Sequence, residues 1–259
     1  MKIHFYKYQG AGNDFILIDN RNLEFPKTSV STIQKLCNRN FGIGADGLIL
    51  LENCSGFDFK MIYYNADGNE GSMCGNGGRC VTAFANHLKL IKSETNFIAI
   101  DGGHFATIEN DLVNLQMKNV SKINVFDTHV FLNTGSPHHI QFSPTIKAIN
   151  VKEEGAKIRN GAPYFKEGTN VNFTEQCSED SFKVRTFERG VEDETLACGT
   201  GVTAVALAAF ETGKTKHKTI IIEVLGGKLE VSFEKENNLY YNVFLKGPAA
   251  LVFEGSISI

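Results

Sequence analysis

The chain has 259 residues, 42% of them hydrophobic, with 20 Phe, no Trp and a formal net charge of −3. That length holds one large domain or two small ones around a sizeable core. The near-balanced charge argues against nucleic acid or an anionic membrane surface as partner, and no run of about 18 apolar residues offers a transmembrane helix.

Taken in chain order, short runs rich in Phe, Ile, Val and Tyr, punctuated by Gly, Asn and Asp, predict strands at His4–Tyr8, Phe15–Asp19, Leu48–Glu52, Asp58–Asn65, Asn96–Ile100, His104–Glu109 and Leu112–Met117. Ser29–Arg39 reads as a surface helix, and the small apolar run Val81–Leu88 as a buried one. Further strands are expected at Ile123–Leu132, His139–Phe142, Asn170–Thr174, Ser181–Glu188, Thr219–Leu225, Lys228–Phe233, Asn238–Lys246 and Ala250–Ile259. Val202–Phe210 is apolar almost all round, the mark of a helix inside the protein.

The start, Met1-Lys2-Ile3-His4-Phe5-Tyr6-Lys7, has no apolar h-region, so no signal peptide is read and a cytoplasmic setting is expected. Six cysteines in such a chain are expected to stay reduced. No Cys-x-x-Cys occurs, which argues against zinc and against a thioredoxin-type pair. Cys37, Cys54, Cys80 and Cys177 read as small hydrophobes.

The other two cysteines share a setting. Met73-Cys74-Gly75-Asn76-Gly77 and Ala197-Cys198-Gly199-Thr200-Gly201 each put Cys-Gly-polar-Gly before a buried helical run. They lie 124 positions apart, and other landmarks keep nearly that offset: Phe59–Asn65 with Phe182–Glu188, Gly44-Ala45-Asp46 with Gly168-Thr169-Asn170, and Gly12-Asn13 with Gly135-Ser136. Four such matches in one order indicate an internal duplication joined near residue 119. The expected fold is α+β, with two pseudo-symmetric domains, each a curved, mostly antiparallel sheet around a central buried helix. The predicted boundaries are 1–118 and 119–248, with the final strand assigned to neither half by the repeat.

Two other motifs fail on context. Gly42-Ile43-Gly44-Ala45-Asp46-Gly47 matches a dinucleotide-binding G-x-G-x-x-G, but a helical stretch precedes it and a strand follows, the reverse of what is needed. Gly213-Lys214-Thr215 resembles the end of a P-loop, but Ala208 stands where the first glycine is required.

A helix N-terminus offers unpaired N–H groups and the positive end of the macrodipole. Asn76 and Thr200 are good N-cap types. The N–H groups after each cysteine suit a carboxylate, and the same field lowers a thiol pKa from its ordinary value of about 8.5. Two such thiols fit one chemistry well. A proton beside a carboxylate is removed by one base and returned on the opposite face by the other, with donors stabilising the developing enolate. That mechanism calls for no metal, pyridoxal phosphate or nucleotide.

With Gly10-Ala11-Gly12-Asn13-Asp14-Phe15, Gly42–Gly47, Asn65-Ala66-Asp67-Gly68, both Cys-Gly motifs, Gly168-Thr169-Asn170-Val171-Asn172 and Phe187-Glu188-Arg189-Gly190, the chain resembles the diaminopimelate epimerases over nearly its whole length. The resemblance implies a cofactor-independent epimerase that interconverts LL- and meso-2,6-diaminopimelate for lysine and peptidoglycan-precursor synthesis, often as a homodimer, with the final strand, 249–259, returning to join domain 1–118. It implies that Cys74 and Cys198 are the acid/base thiols and that Gly75, Asn76, Gly199 and Thr200 hold the reacting carboxylate through backbone N–H groups. Asn13, Asn65, Asn170 and Arg189 would recognise the distal end, and His138 and Glu188 would position or polarise the thiols.

Two positions depart from the family. Ser136 stands where Asn is common, and Gly47 where some members carry Gln. Proline and hydroxyproline racemases are the alternative within the fold, but they carry His after the first Cys-Gly where this chain has Asn76. From other classes, a thiol redox switch would use the same cysteine pair, and a non-catalytic amino-acid-binding protein would not need it.

Overall fold

A computed structural model describes residues 1–71 and 73–259. The chain forms two compact units, Met1–Leu115 with Gly247–Ile259, and Gln116–Lys246.

The first unit contains β1 (Lys2–Gly10), β2 (Asn13–Asp19), α1 (Val30–Cys37), β3 (Gly47–Glu52), β4 (Phe59–Asn65), α2 (Gly75–His87), β5 (Glu94–Ala99), β6 (Gly102–Glu109) and β7 (Leu112–Gln116). The second contains β8 (Ile123–Val125), β9 (Val130–Asn133), β10 (Pro137–Phe142), α3 (Val151–Asn160), β11 (Asn170–Gln176), β12 (Ser181–Glu188), β13 (Asp193–Thr195), α4 (Gly199–Glu211), β14 (Thr219–Val224), β15 (Gly227–Glu236) and β16 (Leu239–Pro248). The final strand, β17 (Ala250–Ser258), pairs antiparallel with β1 and so belongs to the first unit's sheet.

The first sheet runs β17-β1-β2-β3-β4-β5-β6-β7, antiparallel except at β2–β3 and β4–β5. The second runs β8-β9-β10-β11-β12-β14-β15-β16, antiparallel except at β10–β11 and β12–β14, with β13 beside β12. The parallel pairs fall at the same places in both, as a duplicated unit requires. The registers refine the alignment. Phe15 pairs with Gly47, and His138 with Asn170. In both pairs the partners lie 32 positions apart, so with Gly12-Asn13 matched to Gly135-Ser136 the offset through these strands is 123, and Gly47, not Asp46, occupies the position of Asn170.

Each sheet curves around one helix. Helix α2 packs on β1, β2, β3, β6 and β17, and α4 on β9, β10, β11, β12, β14 and β15. Of the thirteen residues of α2, only Asn86 and His87 escape full burial. Strand β3, Gly-Leu-Ile-Leu-Leu-Glu, is buried throughout because α1 covers its other face, where Ile33 and Leu36 join Leu48, Leu50, Ile16 and Ile18.

Three elements differ from the sequence expectation, the shortest being β13, a three-residue strand beside β12 that no apolar run announces. Ile123–Leu132 is not one strand but a tight hairpin, β8 and β9, closed by Phe126 N donating to His129 O. Apolar alternation continues through the turn and hides it. Helix α3 was not expected, because its charges are dense and Gly155 lies mid-run. Its ends are well specified: the Asn150 side chain accepts from Glu153 N, acids fill the first turn and bases the last. Gly155 is there for packing, since a Cβ on it would lie 2.3 Å from Phe187 Cβ.

Candidate active site

The cysteines themselves cap the two central helices. Cys74 (φ −94°, ψ 132°) and Cys198 (φ −118°, ψ 107°) are extended N-cap residues, and the helices start at Gly75 and Gly199. Asn76 and Thr200 are thus second helical residues, not the caps expected from their side chains. The shift follows from the carbonyls: Gly78 N donates to Cys74 O and Val202 N to Cys198 O, closing the first turns. The N–H groups of residues 75–77 and 199–201 have no partner within the helix, so each sulfur shares the helix mouth with an anion-binding set of donors.

In the second unit a chain of hydrogen bonds ends at Cys198. Thr186 Oγ1 donates to Asn172 Oδ1 (3.0 Å). Asn172 Nδ2 donates to His139 O (3.1 Å), which fixes the amide's orientation, and the same nitrogen faces His138 Nδ1 at 3.2 Å. Nδ1 must therefore accept, and the histidine proton sits on Nε2, which donates to Thr200 Oγ1 (3.0 Å). That leaves the Thr200 hydroxyl proton for Cys198 Sγ, 3.5 Å away. His138 is fully buried. Burial, with Arg189 adding repulsion, pushes its pKa down to about 3. It is a neutral donor acting through Thr200. Gly201 makes room for the chain, since a Cβ there would lie 2.5 Å from Asn172 Oδ1.

The expected binding residues of this unit lie at strand ends beside the helix mouth. Asn170 Nδ2 donates to Pro137 O (3.1 Å), and its Oδ1 accepts from Arg189 N (2.8 Å), so this amide ties two strand ends together. Exposed Arg189 donates from Nη1 to Glu167 O. Glu188 Oε2 accepts from Thr195 Oγ1 at 3.0 Å. Ser136 O accepts from Thr134 N, while Thr134 Oγ1 donates to Thr200 O.

In the first unit, a two-residue turn with both Ala11 (φ 52°) and Gly12 (φ 84°) left-handed starts β2 at Asn13. Asn13 Nδ2 donates to Asp46 Oδ2 (2.6 Å), so its Oδ1 faces inward, accepting from Asn76 Nδ2 (3.0 Å) with Cys74 Sγ at 3.8 Å. Behind Asn13, Asp14 binds Arg39 and Lys7. Burial alone would raise its carboxyl, but the hydrogen bonds from Arg39 and Lys7 outweigh it and hold the pKa well below the usual range. Asn65 ends β4, its amide over Gly71, where a Cβ would meet Nδ2 at 2.9 Å. At Gly47 a Cβ would lie 2.5 Å from Tyr63 Cε2, so a tyrosine ring fills the space a longer side chain needs.

Sequence reading left Asn172, Thr186 and Arg79 unassigned. Asn172 closes the Gly168–Asn172 motif and Arg79 follows the first Cys-Gly motif by two positions, but only their burial and partners reveal a role. Among the described residues, no group of three His, Cys, Asp or Glu side chains is arranged to hold a metal ion, and no helix is long and apolar enough to cross a membrane.

This α+β fold is shared with solved structures of low sequence identity. A PhzF-family phenazine biosynthesis protein from Bacillus anthracis superposes with a TM-score of 0.77 at 16% identity, covering 100% of both chains. A hydroxyproline epimerase from Agrobacterium vitis does so with a TM-score of 0.69 at 13% identity, covering 100% of this chain and 93% of its own. Sequence narrows the class. The diaminopimelate epimerase family model matches residues 5–123 and 130–252. Diaminopimelate epimerase of Flavobacterium psychrophilum is 62% identical over 97% of this chain and 99% of its own, and that of Chlorobaculum tepidum 43% identical over 96% and 99%. The chain belongs to the diaminopimelate epimerase family.

Proposed function

We propose that the protein interconverts LL- and meso-2,6-diaminopimelate by two-base proton transfer at the α-carbon, supplying lysine and peptidoglycan-precursor synthesis. The observation that carries this reading is that two cysteines, equivalent in the repeat, each cap the N-terminus of a buried helix. One sulfur starts as thiolate and takes the α-proton, the other starts as thiol and gives its proton to the opposite face, and the roles reverse with the substrate's configuration. Backbone N–H groups of Gly75, Asn76, Gly199 and Thr200 stabilise the carboxylate as it gains enolate character. Arg189 pairs with the distal carboxylate, and Asn13, Asn65 and Asn170 orient the distal amino-acid group. His138, through Thr200, and Glu188 set the polarity around the thiols.

The reading needs no cofactor. It puts the enzyme in the cytoplasm, where its thiols stay reduced. It also makes the protein a homodimer, a state supported by the exposed apolar run Leu251, Val252 and Phe253 on β17; sedimentation equilibrium is expected to return twice the chain mass, and a monomer would overturn it.

NMR of LL-diaminopimelate in D2O with reduced, purified protein tests the function. Deuterium at the α-carbon and meso product are expected without additions. Exchange with proline and none with diaminopimelate would redirect the reading to a proline racemase, and exchange with neither would end it. Cys74→Ala and Cys198→Ala are each expected to abolish epimerisation.

A further inference from the structure

Arg79 is the strangest charge in the molecule. It is wholly buried, one of the largest side chains with no exposure. Its Nη1 donates to Gly75 O (3.3 Å) and its Nη2 to Asn76 Oδ1 (3.0 Å), while Nε has no partner. No carboxylate pairs with it among the described residues. A buried cation without a counter-charge is strongly disfavoured. Its position, early in α2, is also the wrong end of the helix for a cation. Some anion has to offset it.

The ionisable groups that bear on Arg79 are two thiols, Cys80 and Cys74. Burial pushes the Cys80 thiol up to about 12, with Cys74 and Asp14 raising it further against the pull of Arg79, so Cys80 stays neutral. From the packed strands, Tyr8 of β1 is held protonated by burial, and Asp14 of β2 is already matched by Lys7 and Arg39. Cys74 is what remains. The guanidinium bonds to the carbonyl of the residue after Cys74. It also orients Asn76, whose amide in turn meets Asn13 Oδ1 beside the sulfur. Asn13 Oδ1 accepts from the thiol form at 3.8 Å, so both protonation states of Cys74 have a partner.

The duplicated copy lacks this feature. The residue 124 positions on is Thr203, whose hydroxyl is spent on Gly199 O. Beside Cys198 stands the neutral hydroxyl of Thr200.

We propose that Arg79 is a positioning residue whose fixed buried charge holds Cys74 as the resting thiolate, so that the two otherwise equivalent cysteines start the reaction in different protonation states. The proposal deepens the two-thiol reading above and rests on it for its function, but its test does not use turnover.

Iodoacetamide labelling of the reduced, full-length protein, resolved by peptide mass spectrometry from pH 5 to 10, reports each thiol separately. In the unaltered protein, Cys74 is expected to titrate at least about one pH unit below Cys198, and the reverse order overturns the proposal. In Arg79→Met, the Cys74 midpoint is expected to rise by about one unit, cutting its labelling at pH 7 roughly tenfold, with Cys198 unmoved. Arg79→Lys keeps the charge and is expected to stay within half a unit of the unaltered protein. A folded Arg79→Met protein with an unmoved Cys74 profile overturns the proposal. α-Deuterium exchange, measured separately, tells failure of this proposal from failure of the epimerase reading.

Discussion

Acid should destabilise this protein before any carboxylate titrates, and His138 is a main reason. The unfolded chain binds a proton on this histidine below its ordinary pKa of about 6.5, whereas the folded protein refuses it down to about 3. A base with a depressed native pKa contributes stability that is present above about 6.5 and lost as pH falls from there toward 3. Between pH 7 and pH 5 the loss from His138 comes to about 2 kcal/mol. His139, pushed down to about 4 by burial with His129 adding repulsion, acts in the same direction. The test is therefore a difference: urea unfolding at both pH values for the unaltered protein and for His138→Gln. The variant should lose about 2 kcal/mol less on acidification. Nitrogen-15 NMR of the imidazole should show the Nε2–H tautomer and no titration near 6.5. An imidazole that titrates near 6.5, a proton on Nδ1, or an equal acid loss in His138→Gln would refute the hydrogen-bond direction assigned from Asn172 through Thr200 to Cys198.

Gly201→Ala puts a Cβ 2.5 Å from Asn172 Oδ1, so it should cost about 1–3 kcal/mol in denaturant melts and lower kcat by disturbing the same chain. Gly155→Ala should destabilise by about 1–3 kcal/mol, even though alanine is the better helix former, because the added carbon meets Phe187; a more stable variant would contradict the packing argument. Gly47→Gln should also destabilise, since Tyr64 O, a backbone atom, lies 2.6 Å from the new Cβ and cannot swing away. Arg189→Ala should raise KM for diaminopimelate at least roughly tenfold with a smaller change in kcat, as expected for a group that binds the distal end.

The linear sequence carried a good deal of this protein by itself. Hydrophobic periodicity and turn residues located most strands and both central helices, because each depends on local pattern. The repeat of Cys-Gly-polar-Gly, with its neighbours at near-constant spacing, gave the duplicated architecture and singled out Cys74 and Cys198. The resemblance built on those motifs agreed with the family match. What sequence could not supply was long-range. Whether Asp46 or Gly47 matches Asn170 depends on strand register, and the register is set by pairing across the sheet. Gly155 looks like a helix breaker until Phe187 is placed against it. Residues 138, 172, 186 and 200 form one hydrogen-bonded chain only because β10, β11, β12 and α4 meet, and that meeting decides which nitrogen of His138 carries the proton. The same holds for Arg79. On paper it is a charge in a glycine-rich stretch, and only its complete burial, with no carboxylate to meet it among the described residues, marks it as the proposed counterpart of Cys74. Spacing along a chain identifies which residues are equivalent; burial and partners, which the fold alone assigns, decide how the two equivalent thiols differ.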